Sequence, residues 1–278
     1  MLTSAYREPD RESLPLSERP SVSVVIPTVN EAQNLPHVLP RIPRWVDEVV
    51  VVDSQSTDGT VEVAMRLRPD VVVVRQPRLG KGAALRAGFA AASGDIIVTL
   101  DADGSTDPGE IPAFVGALLA GADFVKGSRF AQGGGTDDME WYRYLGNWGL
   151  LQLVRWRFGG RFTDLCYGYN AFWRRILPAI DLAEATGFEI ETSMNIQALQ
   201  AGLTVSEVPS VELRRLNGVS NLRTIPDGWR VLKTIIRLGS APRRRTSSPR
   251  PQRYGHSFRR APFSQQRRAS RAPSAPAE

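Results

Sequence analysis

Two aspartates one residue apart, Asp101 and Asp103, follow directly after an apolar run at 96–100 that predicts a buried strand. Because ionised carboxylates are costly to bury without a partner, this pair makes a poor core element. Carboxylate oxygens do suit a hard divalent cation, which prefers oxygen ligands. The pair therefore indicates either a metal site or a polar loop that leads into a helix beginning at Pro108.

Further polar residues stand at the ends of other predicted strands. Asn30 and Glu31 follow the first strand, and Asp53 ends the second. Ligands of parallel sheets bind at the carboxyl ends of the strands, so these side chains are expected to converge on one edge. Burial of the strands explains the apolar runs, but it does not explain this placement of carboxylates.

Such an edge suits a nucleotide-sugar. A cation held by Asp101 and Asp103 could bridge the two phosphates and stabilise the charge that builds on the leaving diphosphate. Asp53 could accept hydrogen bonds from the base or the ribose, or it could be a turn residue at the strand end. Lys81, which lies between two glycines, either brings an ammonium to the diphosphate or simply begins a flexible helix.

The elements that would position these residues alternate along the chain. Short β-branched strands alternate with longer helices, which is typical of a parallel sheet with helices on both faces. The predicted strands are 21–27, 48–53, 71–75, 96–100, 123–127 and 203–209. The predicted helices are 30–41, 59–68, 80–92, 108–120, 186–201 and 227–238. The predicted fold class is α/β, with a mostly parallel sheet.

Several classes of protein are excluded. There is no G-x-x-x-x-G-K-[ST] motif, and the first strand lacks a glycine fingerprint after it, so neither a P-loop nor a dinucleotide Rossmann site is expected. The one cysteine, Cys166, allows no internal disulfide and favours a reducing compartment. No apolar run approaches the roughly 20 residues that span a bilayer. The two histidines are too far apart to suggest a zinc site.

The positive charge belongs to one end of the chain. The 278 residues carry a formal charge of +6, yet ten arginines and one glutamate lie from residue 241 onward, so the preceding residues are net acidic. This composition predicts a disordered leader at 1–20, a folded domain at 21–240 and a disordered Arg/Pro/Ser-rich tail at 241–278. The basic tail suits anionic lipid, or nucleic acid bound without specificity.

Residues 129–147 are glycine-rich and polar, which predicts a mobile loop. Within 141–162, tryptophan, tyrosine and phenylalanine alternate with arginine. This mixture suits a membrane interface or a partner surface. The alternative is a core-packing helix whose arginines face water.

Several motifs occur in a fixed order along the chain. They are Ser23-Val-Val-Ile-Pro-Thr-Val-Asn-Glu31, Val52-Asp-Ser-Gln-Ser-Thr-Asp-Gly-Thr60, Gly80-Lys-Gly-Ala-Ala-Leu-Arg-Ala-Gly88, Asp101-Ala-Asp103, Gly127-Ser-Arg129, Asp164-Leu-Cys-Tyr-Gly-Tyr-Asn-Ala-Phe172, Gly187-Phe-Glu-Ile-Glu191 and Arg215-Leu-Asn-Gly-Val-Ser-Asn-Leu222. Over about 21–240, this set resembles the family 2 glycosyltransferases of GT-A fold. Within them it is most similar to the dolichyl- or polyprenyl-phosphate sugar synthases.

The resemblance implies a role for individual positions. The nucleotide pocket would be lined by Pro27, Asn30, Glu31 and Asp53. Asp101 and Asp103 would be the ligands of Mg²⁺ or Mn²⁺, and Asp103 would be catalytic. Arg129, Arg143 and Arg215 would face the acceptor phosphate. The chain departs from the pattern at three positions, which are Ser105 where a glutamine ligand is frequent, Val29 where an aromatic residue is usual, and Asn221 where a lysine is common.

The expected reaction is an inverting, metal-dependent transfer of a hexose from a nucleotide-diphosphate sugar to a polyprenyl phosphate. A peripheral position at the cytoplasmic face of a membrane is expected, through residues 141–162 and the basic tail. A lipid phosphate is already an anionic nucleophile near pH 7, so positioning and charge stabilisation suffice.

Two other functions stay open. A hydroxyl acceptor would need a general base, for which Glu191 and Glu189 are candidates with Asp164 behind them, unless these residues pair with arginines or cap the helix at Gly187. The third possibility is a non-catalytic binding module with a basic arm, against which the intact acidic residues argue.

Overall fold

The structure of the chain is a computed structural model that describes residues 18–77, 80–137, 139–160, 162–220 and 222–240. Most of the predicted leader at 1–20 and the whole predicted tail at 241–278 lie outside these ranges, as does Asn221. The division into leader, catalytic domain and tail therefore stays a prediction.

Strands and helices alternate through the first half of the described chain. The strands are β1 (Val22–Thr28), β2 (Glu48–Asp53), β3 (Val72–Arg75), β4 (Ile96–Thr99), β5 (Phe124–Ser128), β6 (Gly135–Thr136), β7 (Asn170–Trp173), β8 (Val205–Pro209) and β9 (Val211–Glu212). The helices are α1 (Leu35–Val38), α2 (Thr60–Leu67), α3 (Lys81–Ala91), α4 (Ile111–Leu119), α5 (Trp141–Phe158), α6 (Ile190–Gln200) and α7 (Thr224–Ser240). Short 3₁₀ segments occupy Leu39–Arg41, Pro108–Glu110 and Arg174–Ala179.

Seven strands form one sheet in the order β3-β2-β1-β4-β7-β5-β8. The first four strands pair in parallel, as do β5 and β8, which confirms the predicted mostly parallel α/β fold. The sequence does not predict β7, which runs antiparallel to both β4 and β5. Its four residues begin with an asparagine and are too few for a periodic pattern to stand out.

The direction of β7 matters for the site. In an antiparallel pair, one strand begins where its neighbour ends, and Asn170 of β7 lies opposite Thr99 of β4. The residues just before β7 are thereby brought to the carboxyl end of β4. Gly168 and Asp101 meet there, although they are far apart in sequence.

Helix α3 packs closely on the centre of the sheet. The valines of β1 and β2 are fully buried, and Gly88 of α3 faces them. A Cβ at Gly88 would collide with Val25 and lie 2.9 Å from Cγ2 of Val52. The missing side chain lets the helix approach the strands, and this approach fixes Lys81 at the first turn of α3 near the sheet edge.

Helices α5, α6 and α7 form a second apolar cluster. Its buried members are Leu151, Val154, Phe162, Leu165, Ile196, Val231 and Ile235. The opposite faces of α5 and α7 leave large apolar side chains in solvent, including Trp141 (74% exposed), Trp156 (81%) and Ile225 (84%). Among the helices of the described ranges, none is long and apolar enough to span a bilayer.

Several predicted boundaries are wrong. The helix predicted from residue 30 begins at Leu35, because Asn30 adopts φ +56° and joins a turn instead of capping a helix. The loop predicted over 129–147 contains β6 and the first turns of α5. Helix α6 begins at Ile190 instead of 186, whereas α7 extends beyond the predicted 227–238 at both ends.

Candidate active site

A buried lysine bridges two carboxylates at the end of β4. Nζ of Lys81 lies 2.8 Å from Oδ1 of Asp101 and 2.9 Å from Oε1 of Glu191, which is in the first turn of α6. Burial lowers the pKa of the Lys81 ammonium, but the two carboxylates outweigh burial and raise it above its ordinary value. Burial raises the pKa of Glu191, and Lys81 opposes this only in part. Lys81 therefore stays charged and neutralises Asp101.

Gly168, two residues before β7, lies against the group formed by Lys81, Asp101 and Glu191. A Cβ at this position would lie 2.5 Å from Nζ of Lys81, 2.9 Å from Oδ2 of Asp101 and 3.4 Å from Oε1 of Glu191. Oε2 of Glu191 is buried and accepts no hydrogen bond from any residue in the described ranges. The absence of a side chain at Gly168 thus leaves a small polar space beside Asp101.

Asp103 belongs to a second ionic group. The backbone N–H and hydroxyl of Ser105 donate to its Oδ1 at 3.0 and 2.6 Å, while Nη1 of Arg215 donates to Oδ2 at 3.2 Å. Nη2 of Arg215 donates to Oε1 of Glu31 at 2.5 Å. The segment after β9 is held here by its backbone, because the N–H of Leu216 donates to the carbonyl of Asp103. Arg215 thus joins the acidic residues of β1 and β4.

The carboxylates of Asp101 and Asp103 are suited to hold a divalent cation such as Mg²⁺. Their side chains are 25% and 22% exposed, so a ligand can reach them. No group of three or more histidine, cysteine, aspartate or glutamate residues suited to a metal occurs in the described part of the chain. Two carboxylates that leave the remaining positions to water and substrate phosphate are a usual magnesium arrangement. Lys81 and Arg215 supply neutralising charge beside these two carboxylates.

A separate cavity of about 430 Å³ opens between the ends of β2 and β3, lined by Asp53, Ser56, Arg75 and Gln76 among others. Oδ1 of Asp53 is buried without a hydrogen-bond partner among the described residues. Since buried polar atoms are normally hydrogen-bonded, this oxygen is suited to accept from a ligand.

The loop after β1 is tied to the loop after β2. Oδ1 of Asn30 accepts from the N–H of Thr57 at 2.8 Å, and the N–H of Glu31 donates to Oγ1 of Thr60 at 2.9 Å. Asparagine tolerates the left-handed backbone found at Asn30 better than most residues do. Pro27 lies on β1 opposite Val52, next to these loops. The predicted nucleotide residues therefore gather at neighbouring strand ends.

A third pocket, of about 190 Å³, extends from Asp101 and Lys81 towards α5 and α7. Arg129 and Arg143 line it, together with Glu212. Arg129 donates to both carboxylate oxygens of Asp164 at 2.6 and 2.9 Å and to Oε2 of Glu212 at 3.0 Å. The Arg129 guanidinium outweighs burial and holds the pKa of Asp164 below its ordinary value. Arg143 forms no ion pair with any described residue.

The predicted arginines are divided between two places. Arg129 and Arg143 share the third pocket, whereas Arg215 contacts Glu31 and Asp103. Glu189 accepts from the N–H groups of Thr186 and Gly187 at 2.9 and 3.0 Å, so it stabilises the turn before α6. Glu189 thus has the capping role that the sequence analysis gave as one alternative to a role as general base.

Sequence reasoning missed Glu212 and Gly168. Glu212 stands in the two-residue strand β9, which pairs with β6, and Oγ1 of Thr136 also donates to it. No local pattern marks such a short strand. Gly168 did lie in a motif, but only the antiparallel strand β7 shows that it faces Asp101.

Comparison with known proteins identifies relatives of this chain. The profile described as glycosyl transferase family 2 matches residues 23–178. The polyprenol monophosphomannose synthase of Mycolicibacterium smegmatis is 34% identical over 236 residues, which are 80% of this chain and 89% of that protein. The undecaprenyl-phosphate mannosyltransferase of Micrococcus luteus is 34% identical over 212 residues, 72% of this chain and 87% of that protein.

A solved structure shares the fold. Glucosyl-3-phosphoglycerate synthase from Mycobacterium tuberculosis, in complex with Mn²⁺, UDP and glucosyl-3-phosphoglycerate, superposes with a TM-score of 0.62 at 26% identity. The match covers 80% of this chain and 81% of that one. Another structure of that synthase contains Mg²⁺ and UDP.

Proposed function

The chain belongs to glycosyl transferase family 2, and we propose that it transfers mannose from a nucleotide-diphosphate sugar to a polyprenyl phosphate, with inversion at the sugar carbon. Two relatives of similar length are named for mannosyl transfer to a polyprenol or an undecaprenyl phosphate. We infer a phosphate acceptor from the pocket beside Asp101, because Arg143 lines this pocket and has no ion pair with a described residue. A guanidinium without an ion pair in the described part of the chain suits an incoming phosphate at this place.

The donor would lie across the ends of β1, β2 and β4. Oδ1 of Asp53 would accept from a hydroxyl or amide of the nucleoside, since it lacks a partner among the described residues. Pro27, Asn30 and Glu31, at the neighbouring end of β1, would adjoin the nucleotide, and Lys81, 2.8 Å from Asp101, would reach the diphosphate.

Asp101 and Asp103 would hold Mg²⁺ or Mn²⁺, as the donor set and exposure of their carboxylates allow. When bound, the cation would neutralise the negative charge that develops on the leaving diphosphate. Lys81 and Arg215 would then release one carboxylate oxygen each and could turn towards the diphosphate. The structure of the related synthase with Mn²⁺ and UDP supports divalent-metal use in the family.

The acceptor phosphate supplies its own nucleophile. One oxygen of the acceptor phosphate would form the new bond to the sugar carbon, from the face opposite the diphosphate. The bond between that carbon and the diphosphate would break at the same time, and the nucleoside diphosphate would leave. Arg143 would bind the acceptor phosphate, while Arg129, held by Asp164 and Glu212, would fix one wall of the pocket. Catalysis by these residues is then orientation and charge stabilisation, not proton removal.

Glu191 has a supporting role in this proposal. Oε1 of Glu191 lies 2.9 Å from Nζ of Lys81, and this contact would keep the ammonium beside Asp101. Transfer to a sugar hydroxyl is the second candidate, in which Glu191 would take the hydroxyl proton. The raised pKa of Glu191, caused by burial, favours that role, because a stronger base accepts a proton more readily.

We further place the enzyme at the surface of an anionic membrane. Helix α5 exposes tryptophans next to Arg155 and Arg157, and α7 adds Trp229 beside Lys233. Aromatic and basic residues of this kind favour the headgroup region. The basic tail at 241–278 would add electrostatic attraction, on the order of 1 kcal/mol per basic residue close to the surface.

A transfer assay tests the proposal. The full chain is incubated with Mn²⁺, radiolabelled nucleotide-sugars and either a detergent-dispersed polyprenyl phosphate or soluble sugar acceptors. We expect label in the lipid product only with a mannose donor, and an inverted anomer by NMR. Transfer to sugar hydroxyls without transfer to lipid would replace the proposal with its second candidate.

A thermal-shift panel of nucleoside diphosphates with Mn²⁺ provides the control. Stabilisation by at least one nucleotide is expected, since a ligand that binds only the folded chain raises its melting temperature. If no nucleotide stabilises the chain and no acceptor is used, a non-catalytic module is the better description.

A further inference from the structure

We propose that Asn34 is a positioning residue for the transfer, which holds the guanidinium of Arg215 with one nitrogen directed at Asp103. The inference rests on the proposed function, because Arg215 would turn from Asp103 towards the diphosphate when the donor binds. It gives a role in the reaction to a side chain that neither the donor nor the acceptor would touch.

The side chain of Asn34 is not used by its own helix. Asn34 immediately precedes α1, and an asparagine at this position commonly accepts a hydrogen bond from the first turn of the helix. In the described part of the chain its side chain makes no such bond with α1, although the residue is only 2% exposed. Its amide contacts instead a segment that lies 183 residues further along the chain.

Asn34 and Asn217 are joined by a reciprocal pair of hydrogen bonds. Nδ2 of Asn34 donates to the carbonyl of Asn217 at 3.2 Å, and Nδ2 of Asn217 donates to Oδ1 of Asn34 at 3.0 Å. Nδ2 of Asn34 also donates to Oε2 of Glu31 at 2.5 Å. One amide therefore holds both the loop after β1 and the segment that carries Arg215.

Both groups that Asn34 holds are partners of Arg215. The carbonyl of Asn217 accepts from Nε of Arg215 at 2.7 Å, and Oε1 of Glu31 accepts from Nη2 at 2.5 Å. These contacts close a ring of four residues, which fixes the planar guanidinium along one edge. Nη1 is left to donate to Oδ2 of Asp103 at 3.2 Å, the longest of the three bonds.

The main chain keeps this segment in place independently of Asn34. The N–H of Leu216 donates to the carbonyl of Asp103 at 3.1 Å. The side chain of Leu216 covers Gly104, where a Cβ would lie 2.6 Å from Cδ1 of the leucine. Loss of the Asn34 amide should therefore free the guanidinium to rotate without detaching the backbone that carries it.

A guanidinium that is free to rotate keeps its charge but loses its direction. The charge would still attract the diphosphate, so the donor should bind to Asn34→Ala nearly as it does to the wild type. Stabilisation of the transition state needs a fixed orientation, and a misplacement of about 1 Å can cost up to about 10²-fold in rate. We therefore expect kcat to fall at least about tenfold while the donor KM stays within about threefold.

A double-mutant cycle tests whether Asn34 acts through Arg215. Arg215→Lys keeps the charge but lacks both the Nε–H that donates to Asn217 and the planar fork. Asn34→Ala should lower kcat in the wild type but by less than about twofold when it is combined with Arg215→Lys, because the positioned group is already absent. A loss of kcat that is equally large in both backgrounds, or absent from both, overturns the assignment.

Gln197→Ala is the matched control. The buried amide of Gln197 also forms a reciprocal pair, since its Oε1 accepts from the N–H of Asp181 at 2.6 Å and its Nε2 donates to the carbonyl of Asp181 at 2.5 Å. This variant should lower the melting temperature as Asn34→Ala does, yet keep kcat within about twofold. A similar loss of kcat in Gln197→Ala would attribute the effect of Asn34 to stability alone and overturn the assignment.

An NMR signal tests the geometry without donor, metal or acceptor. The Nε–H of Arg215 is identified in the spectrum of the full chain as the signal that Arg215→Lys removes. Its exchange with water should be slow in the wild type and in Gln197→Ala, and at least about tenfold faster in Asn34→Ala, because a hydrogen bond protects it. Unchanged exchange in Asn34→Ala overturns the assignment.

The outcomes separate this assignment from the proposed function. Either a polyprenyl phosphate or a sugar hydroxyl can serve as acceptor in the kinetics, since Arg215 would act on the donor. If transfer occurs but the cycle shows no coupling, only the assignment of Asn34 fails. If the wild type transfers sugar to neither acceptor, the proposed function fails and the role of Asn34 in transfer fails with it, while the exchange of the Nε–H still decides whether Asn34 holds Arg215.

Discussion

At the scale of single residues, the acidic positions of this site are neutralised by the chain's own cations. Lys81 pairs with Asp101 and Glu191, and Arg215 pairs with Asp103 and Glu31. Four carboxylates at one sheet edge would otherwise repel each other. In the proposed function, a cation and a diphosphate that bind here would rearrange these ion pairs, which would link donor binding to the position of two basic side chains.

The metal role of Asp103 gives the first prediction. In Asp103→Asn the amide oxygen still accepts from Ser105, whereas the negative charge that would hold a cation is lost. We expect turnover to fall by at least about 10³-fold, since several kcal/mol of charge stabilisation are removed. Steady-state kinetics across a Mn²⁺ titration measures this, with the melting temperature as the check on folding. Wild-type turnover in the variant would remove Asp103 from the metal site.

The second prediction concerns the buried pair of Asp164 and Arg129. Removing one partner of such a pair typically costs about 3–5 kcal/mol, so Asp164→Asn should lower the free energy of unfolding by that amount at neutral pH. The pKa of Asp164 is lowered in the folded chain, mainly because Arg129 outweighs its burial. The stabilisation is therefore present above the ordinary aspartate pKa and is lost as the pH falls below it.

Urea unfolding at several pH values checks this sign. The difference between wild type and Asp164→Asn should shrink as the pH is lowered from about 7 to about 3. Asp70→Asn is the control, because Asp70 is 66% exposed beside Arg68 and its pair should contribute less than about 1 kcal/mol. A difference that stays constant over this range would contradict the assigned direction.

At the scale of secondary-structure elements, two features assemble the site. The antiparallel strand β7 brings Gly168 to Asp101, and the segment after β9 brings Arg215 to Asp103. Helix α3 carries Lys81 at its first turn, and its approach to the sheet depends on Gly88. The position of the lysine is thus decided by a helix–sheet contact two turns away.

That contact gives the third prediction. Gly88→Ala should destabilise the chain by about 1–3 kcal/mol, because the new methyl group would collide with Val25 and crowd Val52. Gly149→Ala is the matched control, since its methyl group meets nothing within 4 Å and alanine favours the helix by up to about 1 kcal/mol. Urea unfolding of both variants measures the difference. Equal stabilities would show that α3 can shift without cost.

At the scale of the whole molecule, apolar and basic side chains are concentrated on α5 and α7. Both helices line the pocket that reaches Asp101, and both expose tryptophans to solvent. An acceptor held in a bilayer could therefore enter from the membrane surface without leaving an apolar environment. This arrangement connects the proposed membrane contact with the proposed chemistry.

Vesicle sedimentation gives the fourth prediction. The full chain should bind vesicles rich in anionic lipid, and binding should weaken as salt is raised, because screening shortens the reach of the charges. Trp141→Ser combined with Trp156→Ser should reduce binding, since these side chains are 74% and 81% exposed. Met65→Ser on α2, also exposed, is the control and should bind as the wild type does.

The same assay tests the basic tail. A chain that ends at Ser240 lacks the ten arginines beyond that residue and should bind more weakly at low salt. Equal binding by the shortened and full chains would leave α5 and α7 as the whole of the membrane contact.

The sequence by itself determined the alternation of strands and helices from β1 to β5 and the identity of the acidic residues. Strand periodicity and strand-end position depend on local patterns, so 96–100 and the aspartates after it were predictable from neighbouring residues alone. The family was predictable for the same reason, because its motifs are short and local, and the profile match confirms it.

Only the tertiary structure decided which of these residues meet. Strand β7 and the pairing of Glu212 with Arg129 join residues separated by dozens of positions, and no local pattern encodes such contacts. The same holds for the partners of Lys81 and Arg215, and for the pocket that α5 and α7 line beside Asp101. Side-chain chemistry can be seen in the sequence, but the distance between two side chains depends on how the whole chain packs.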